Sequence, residues 1–270
     1  MANSQDQPLP NEKVANIQGS VGKLFGLLAL PDLESSEKCP MVILCHGLKG
    51  NLNYHLWPMI IQVLNAKGIG TLRFDFNGCG KSEGEFQNMT APNEIDDLYS
   101  VISWVQSLPS TKNISLVGHS QGGVVAGMAA GVCGAEQIAR LVLLSAAAVI
   151  RDDALRGDTQ GTKYDPWHLD KPWYPLNEPF KLGRSYIQTA MNLPIYETTA
   201  KYKGSTLIMN GMADQVVPYT YAERYHEALT NSRLIIVPGE NHPWTVNPRY
   251  AVDLVTDWLV AELIDTPAAP

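Results

Sequence analysis

The chain has 270 residues, 45% of them hydrophobic and 17% charged, with a net charge of −7. That size and apolar share suit one large α/β domain with a well-buried core. No lysine- or arginine-rich stripe offers a nucleic-acid surface, the apolar runs are too short to span a membrane, and Met1 to Asp6 lack the basic and apolar regions of a secretory signal, so a cytoplasmic location is expected.

In chain order, residues 1–12 are polar and read as loose. Val14 to Leu30 reads as a β-hairpin turning at Gly19-Ser20-Val21-Gly22. Pro31 to Pro40 is a charged loop. Met41-Val42-Ile43-Leu44-Cys45 is a continuous apolar run, as in a strand covered on both faces, and it ends in His46-Gly47-Leu48-Lys49-Gly50. A helix over about 56–67 and a strand over 70–75 follow. Ile95, Leu98, Val101, Ile102 and Val105 recur at helical spacing within 92–107. Then come a strand at 113–117, a helix of small apolar residues from Gly123, and a strand at 141–144. The alternation breaks at about 149. Residues 149–200, rich in Pro, Trp and Tyr, read as an inserted cap between the core segments 1–148 and 201–270. Alternation resumes with a strand at 206–210, a helix over 219–229, a strand at 233–237 and a helix over 249–264. Strands alternating with helices imply a mostly parallel sheet with right-handed crossovers.

The stretch that carries chemistry is Gly118-His119-Ser120-Gln121-Gly122, which has the form G-x-S-x-G between a strand and a helix. A turn this tight excludes side chains at Gly118 and Gly122. It lifts the Ser120 hydroxyl clear and leaves the Gln121 N–H at a helix N-terminus, free to face a developing oxyanion. Leu48, one residue past His46-Gly47, is placed to supply a second N–H. A serine hydroxyl needs a base, and the base an orienting acid. Asp214 and His242 each follow a strand, in the required order after Ser120. The other histidines have simpler readings: His55, His168 and His226 lie in polar or helical stretches, and His46 and His119 read as structural. Lys49 reads as a solvated loop charge and Asp75 as structural. Gly80-Lys81-Ser82 is no phosphate-binding loop, because position 75 is Asp where that motif needs Gly. Cys39, Cys45, Cys79 and Cys133 are unclustered and no H-E-x-x-H occurs, so neither metal nor cofactor is expected.

Together these residues resemble the α/β-hydrolase superfamily over nearly the whole chain. Within it, His46-Gly47-Leu48, the run Arg73 to Ser82, the motif at Ser120, and the cap stretches Asp153 to Gly161, Tyr186 and Leu193 to Glu197 resemble the bacterial cinnamoyl (feruloyl) esterases. The resemblance implies an α/β-hydrolase fold and a serine esterase acting on small aromatic esters. It implies that Asp153 and Tyr186 hold the phenolic hydroxyl of a hydroxycinnamate while Gln160 helps line the pocket. Trp167, Trp173 and Tyr174 are expected in a cap over the site; the alternative is a surface joining two copies as a homodimer. Other readings are a general carboxylesterase, a monoacylglycerol or acyl-peptide hydrolase, and a non-catalytic binding protein on the same scaffold.

Overall fold

The structure, a computed structural model, describes residues 8–32 and 37–265. Most of the polar N-terminal stretch and the middle of the charged loop before Cys39 lie outside the described residues. β1 (Glu12–Gln18) and β2 (Lys23–Ala29) form the antiparallel hairpin expected from the sequence. β3 (Cys39–Cys45), α1 (Leu56–Ala66), β4 (Gly70–Phe74), α2 (Ala91–Ser107), β5 (Thr111–His119), α3 (Gln121–Cys133) and β6 (Ile138–Leu144) then alternate. Two expectations are corrected at their edges. Glu12 belongs to a strand, and Cys39 and Pro40 open β3 rather than close a loop.

Between β6 and the next core strand lie α4 (Val149–Arg156), β7 (Asp158–Thr159), β8 (Thr162–Lys163), β9 (Trp173–Pro175), β10 (Lys181–Gly183), α5 (Arg184–Ala190) and α6 (Ile195–Thr199). These form two small hairpins and short helices with their own apolar cluster, in which Tyr174, Leu176, Leu182 and Ile187 pack around Met89. The core resumes with β11 (Ser205–Gly211), α7 (Thr220–Ala228), β12 (Ser232–Val237) and α8 (Pro248–Val260).

The main sheet runs β1-β2-β4-β3-β5-β6-β11-β12; β2 is antiparallel to both its neighbours, β1 and β4, and every other neighbouring pair is parallel. This is the doubly wound arrangement of an α/β-hydrolase fold. Period-two side-chain alternation splits each apolar run between two cores. From β3, Met41, Ile43 and Cys45 face the layer of α2, α3 and α7, while Val42 and Leu44 face α1 and α8. α3 is buried on nearly every side, which explains its composition of Gly, Ala and Val. Thr90 caps α2 by accepting from the Asn93 N–H, and Asn247 caps α8 by accepting from the Tyr250 N–H. Among the described residues no helix is long and apolar enough to cross a membrane.

One buried ion pair ties the sheet edge to the loop after β3. Arg73 donates from Nε and Nη2 to the two carboxylate oxygens of Glu12 at 2.7 and 2.6 Å. Its remaining amino group donates to the Leu52 carbonyl at 3.1 Å and to Asn53 Oδ1 at 3.0 Å. Both side chains are fully shielded from solvent. Removing one partner leaves the other charge buried and uncompensated, which costs about 3–5 kcal/mol. Glu12→Gln is therefore expected to lower the unfolding free energy by about that amount, read as a lower midpoint in urea denaturation.

Candidate active site

Ser120 sits at the turn between β5 and α3 with φ +56° and ψ −124°, a conformation that a non-glycine residue adopts only under constraint. The constraint comes from three backbone bonds. Its N–H donates to the Leu144 carbonyl at 2.9 Å, and its carbonyl accepts from Gly123 at 2.9 Å and Ala147 at 3.0 Å. The loop after β3 presses against this turn. A Cβ on Gly47 would lie 2.7 Å from the Ser120 Cβ, so only glycine fits there. That contact brings Leu48 beside the serine, while Gln121 opens α3 ahead of its first intrahelical bond.

The structure brings the three residues expected from the sequence together. The Ser120 hydroxyl donates to His242 Nε2 at 3.0 Å, and His242 Nδ1–H donates to Asp214 Oδ2 at 2.8 Å. The second oxygen of Asp214 accepts from the Val216 and Val217 N–H groups at 2.9 and 2.7 Å, which locks the carboxylate's plane. The Asp214 side chain is fully buried, and that of His242 is 13% exposed.

The loop carrying His242 is pinned from two sides, and the sequence reading missed this. From within, the buried Glu240 carboxylate accepts the N–H groups of Asn241, Val246 and Asn247 at 3.1, 3.0 and 2.9 Å. From across the site, three successive carbonyls are each captured by a side chain. His119 Nε2–H donates to His242 at 3.0 Å, the Tyr54 hydroxyl to Pro243 at 3.0 Å, and His55 Nε2–H to Trp244 at 3.2 Å. Tyr54 and His119 stack with ring centroids 4.3 Å apart. Burial holds His119 well below the usual imidazole range, so it serves as a neutral donor. His46 is likewise neutral through burial; its Nδ1–H donates to the Gly47 carbonyl, and its Nε2 accepts from the Phe76 N–H at 3.1 Å. Trp244 plugs the loop into the core beside Trp57 and Val255.

Of the residues that the resemblance singles out, Tyr186 is fully buried, and its hydroxyl donates to Gln121 Oε1 at 2.7 Å. Gln121 in turn donates to Glu94 at 2.7 Å. Tyr186 thus braces the residue after Ser120, and its hydroxyl is not the partner of Asp153. Asp153 lies inside α4 and pairs with Arg156. Burial pushes the Asp153 carboxyl up to about 6, against the opposing pull of Arg156. Glu94 was legible in principle, because it falls on the buried stripe of α2 with Leu98, Val101 and Val105.

Two cavities meet at the site. One of about 550 Å³ is lined by Leu48, Lys49, Ser120 and His242. The other, of about 460 Å³, is lined by Asp153, Arg156, Asp158 and Tyr221. Gln160, at the tip of the β7–β8 hairpin, and Val216 line both and form their common wall. Trp167, Trp173 and Tyr174 line neither: Trp167 is 70% exposed, while Tyr174 is buried in the cluster of the insertion. Among the described residues no group of three or more His, Cys, Asp or Glu is placed to hold a metal.

Two outcomes follow from these contacts. His119→Leu removes the donor to the His242 carbonyl and is expected to lower kcat about tenfold or more while KM changes little, as fits loss of positioning rather than of binding. Steady-state kinetics on a chromogenic ester checks this. Glu94, raised by burial from 4.5 to about 8, binds its proton more tightly folded than unfolded. Its contribution to stability is therefore full below pH 4.5 and is lost as pH rises toward 8. Glu94→Gln keeps an acceptor for Gln121 and is expected to flatten the fall in urea midpoint across that window.

Comparison with known proteins agrees with this geometry. The family model described as alpha/beta hydrolase fold matches residues 40–167, and that described as TAP-like protein matches residues 184–267. An uncharacterized 31.7 kDa protein of Escherichia coli is 36% identical over 92 residues, 33% of this chain and 32% of the relative, so the match spans about a third of that protein. The palmitoyl-protein thioesterase ABHD10 of Mus musculus is 25% identical over 191 residues, 67% of this chain and 61% of the relative. The solved structure of Est1E from Butyrivibrio proteoclasticus with ferulic acid bound is 28% identical, with a TM-score of 0.87 over 93% of this chain and 100% of that one. Sheet order, the turn at Ser120 and these matches together place the chain in the α/β-hydrolase superfamily.

Proposed function

We propose that the chain is a serine carboxylic ester hydrolase acting on hydroxycinnamate esters. The observation that carries this reading is the line of hydrogen bonds from Ser120 through His242 to Asp214 at the wall of a cavity. The Ser120 oxygen attacks the ester carbonyl carbon as its proton passes to His242 Nε2. Negative charge develops on the carbonyl oxygen, where the N–H groups of Leu48 and Gln121 receive it. The C–O bond to the alcohol then breaks, and His242 returns the proton to the leaving oxygen. Water repeats the sequence against the acyl-enzyme, and the acid departs. Asp214 keeps the imidazole in the tautomer that can accept at Nε2.

The acyl preference rests on the second cavity and on the likeness to Est1E, whose structure holds ferulic acid. That cavity offers carboxylates and Arg156 to its occupant, which suits a phenolic ring better than a long alkyl chain. An Asp153 carboxylate there accepts from the ring hydroxyl, and such a charged hydrogen bond is worth about 1.5–3 kcal/mol, or roughly 10- to 150-fold. A palmitoyl chain would need a continuous apolar channel in the same place.

Ser120→Ala is expected to abolish turnover, a loss on the order of 10⁶ in kcat, with the fold intact by circular dichroism. His242→Ala combined with Asp214→Asn is expected to be hardly worse than His242→Ala alone, because the three act as a unit. Additive losses would place Asp214 outside the reaction. The preference for methyl p-coumarate over methyl cinnamate is expected to grow as pH rises through about 6, where Asp153 ionises, and to collapse in Asp153→Ala. A flat ratio of kcat/KM from pH 5 to 8, or faster turnover of long alkanoyl esters, would remove the hydroxycinnamate assignment.

A further inference from the structure

The larger cavity is charged in one sense only. Its lining includes Lys49 and contains neither Asp nor Glu, although the chain as a whole carries a net −7. Lys49 is not the fully solvated loop charge that the sequence suggests; it is half-buried, and burial holds its ammonium below the ordinary lysine range. Among the described residues no carboxylate forms an ion pair with it.

Its backbone makes the placement more specific. The Gly50 N–H donates to the Gly47 carbonyl at 2.9 Å, which closes a four-residue turn with Lys49 third. Lys49 holds φ +63° there, where glycine or asparagine is the unstrained residue. A lysine kept at such a position beside the cavity points to use of its side chain. Asn51, also on the wall, accepts the Asn53 N–H on Oδ1, which leaves its amide N–H groups as donors.

Which part of a substrate meets Lys49 follows from the base. The group that protonates the leaving oxygen must sit beside it. His242 and Pro243 line the cavity of Lys49 and not the cavity of Asp153. The leaving alcohol therefore occupies the Lys49 side and the distal acyl group the Asp153 side. The charged linings also differ: Lys49 alone on one side, and two carboxylates, Asp153 and Asp158, with Arg156 on the other.

We propose that Lys49 and Asn51 form a subsite for an acid group on the leaving alcohol, so that the preferred substrates are esters of hydroxy acids or of phosphorylated alcohols. This rests on the esterase reading above. The test uses three acetate esters with matched alcohols: 1-propanol, 3-hydroxypropanoate and 2-hydroxyethyl phosphate. Acid release is followed by titration in the wild type and in Lys49→Gln, Lys49→Arg and Lys49→Gly, the last being unstrained at this turn. The wild type is expected to favour at least one acidic ester over propyl acetate by about fivefold in kcat/KM, as fits a half-exposed ion pair. The ratio should fall toward one in Lys49→Gln, in Lys49→Gly and at high salt, and persist in Lys49→Arg. The larger of the two gains identifies carboxylate or phosphate as the group bound. Turnover of propyl acetate with no acidic preference, or a preference that survives in both neutral variants, overturns the subsite and leaves the esterase standing. No turnover of any of the three or of methyl p-coumarate overturns both.

Discussion

The contact between Gly47 and Ser120 sets the distance between the loop after β3 and the turn after β5. In the proposed mechanism one of these carries the nucleophile and one oxyanion N–H, and the other the second N–H. Each loop ends a parallel strand, β5 or β3, and these strands are hydrogen-bonded neighbours at the centre of the sheet. The turn at Ser120 is strained, yet its carbonyl and N–H are held by three bonds to α3, to β6 and to the segment after β6. The strain is stable because the surrounding core, not the local sequence, determines it. His242 and Asp214 come from two further loops, each following its own strand.

Much of this was legible in the sequence because parallel strands buried on both faces are continuous apolar runs. The run at 41–45 and the run before Gly118 therefore located the loops that matter. Chain order then selected Asp214 and His242 from many carboxylates and six histidines, and the structure brings both within hydrogen-bonding distance of their expected partners. What stayed hidden shares one cause: it depends on contacts between segments far apart in sequence. His119 and Tyr54 stack only because β5 and the loop before α1 converge, and nothing local to either residue announces that. Tyr186 lines neither cavity, and its hydroxyl is taken by Gln121, a partner that lies 65 residues away in sequence. The aromatic stretch of Trp167 to Tyr174 was read as one unit. In fact Tyr174 faces inward on β9 while Trp167 lies on an irregular, exposed segment.

The base loop shows how polar groups are satisfied where no regular element is available. Glu240 takes three N–H groups and Tyr54, His55 and His119 give to three carbonyls, so an irregular segment gains the backbone pairing that a strand receives from its neighbours. Two of those donors are imidazoles.

The ion pair between Glu12 and Arg73 has a kinetic side. β1 is the outermost strand of its side of the sheet, and edge strands are where a native protein first opens. Here the edge is wired inward: the guanidinium that holds Glu12 also holds Leu52 and Asn53, and Asn53 lines the same cavity as Ser120. Loss of β1 would strip Arg73 of its carboxylate while its bonds to Leu52 and Asn53 remain, so opening of the hairpin would leave an uncompensated buried charge beside a cavity to which the hairpin contributes no lining residue.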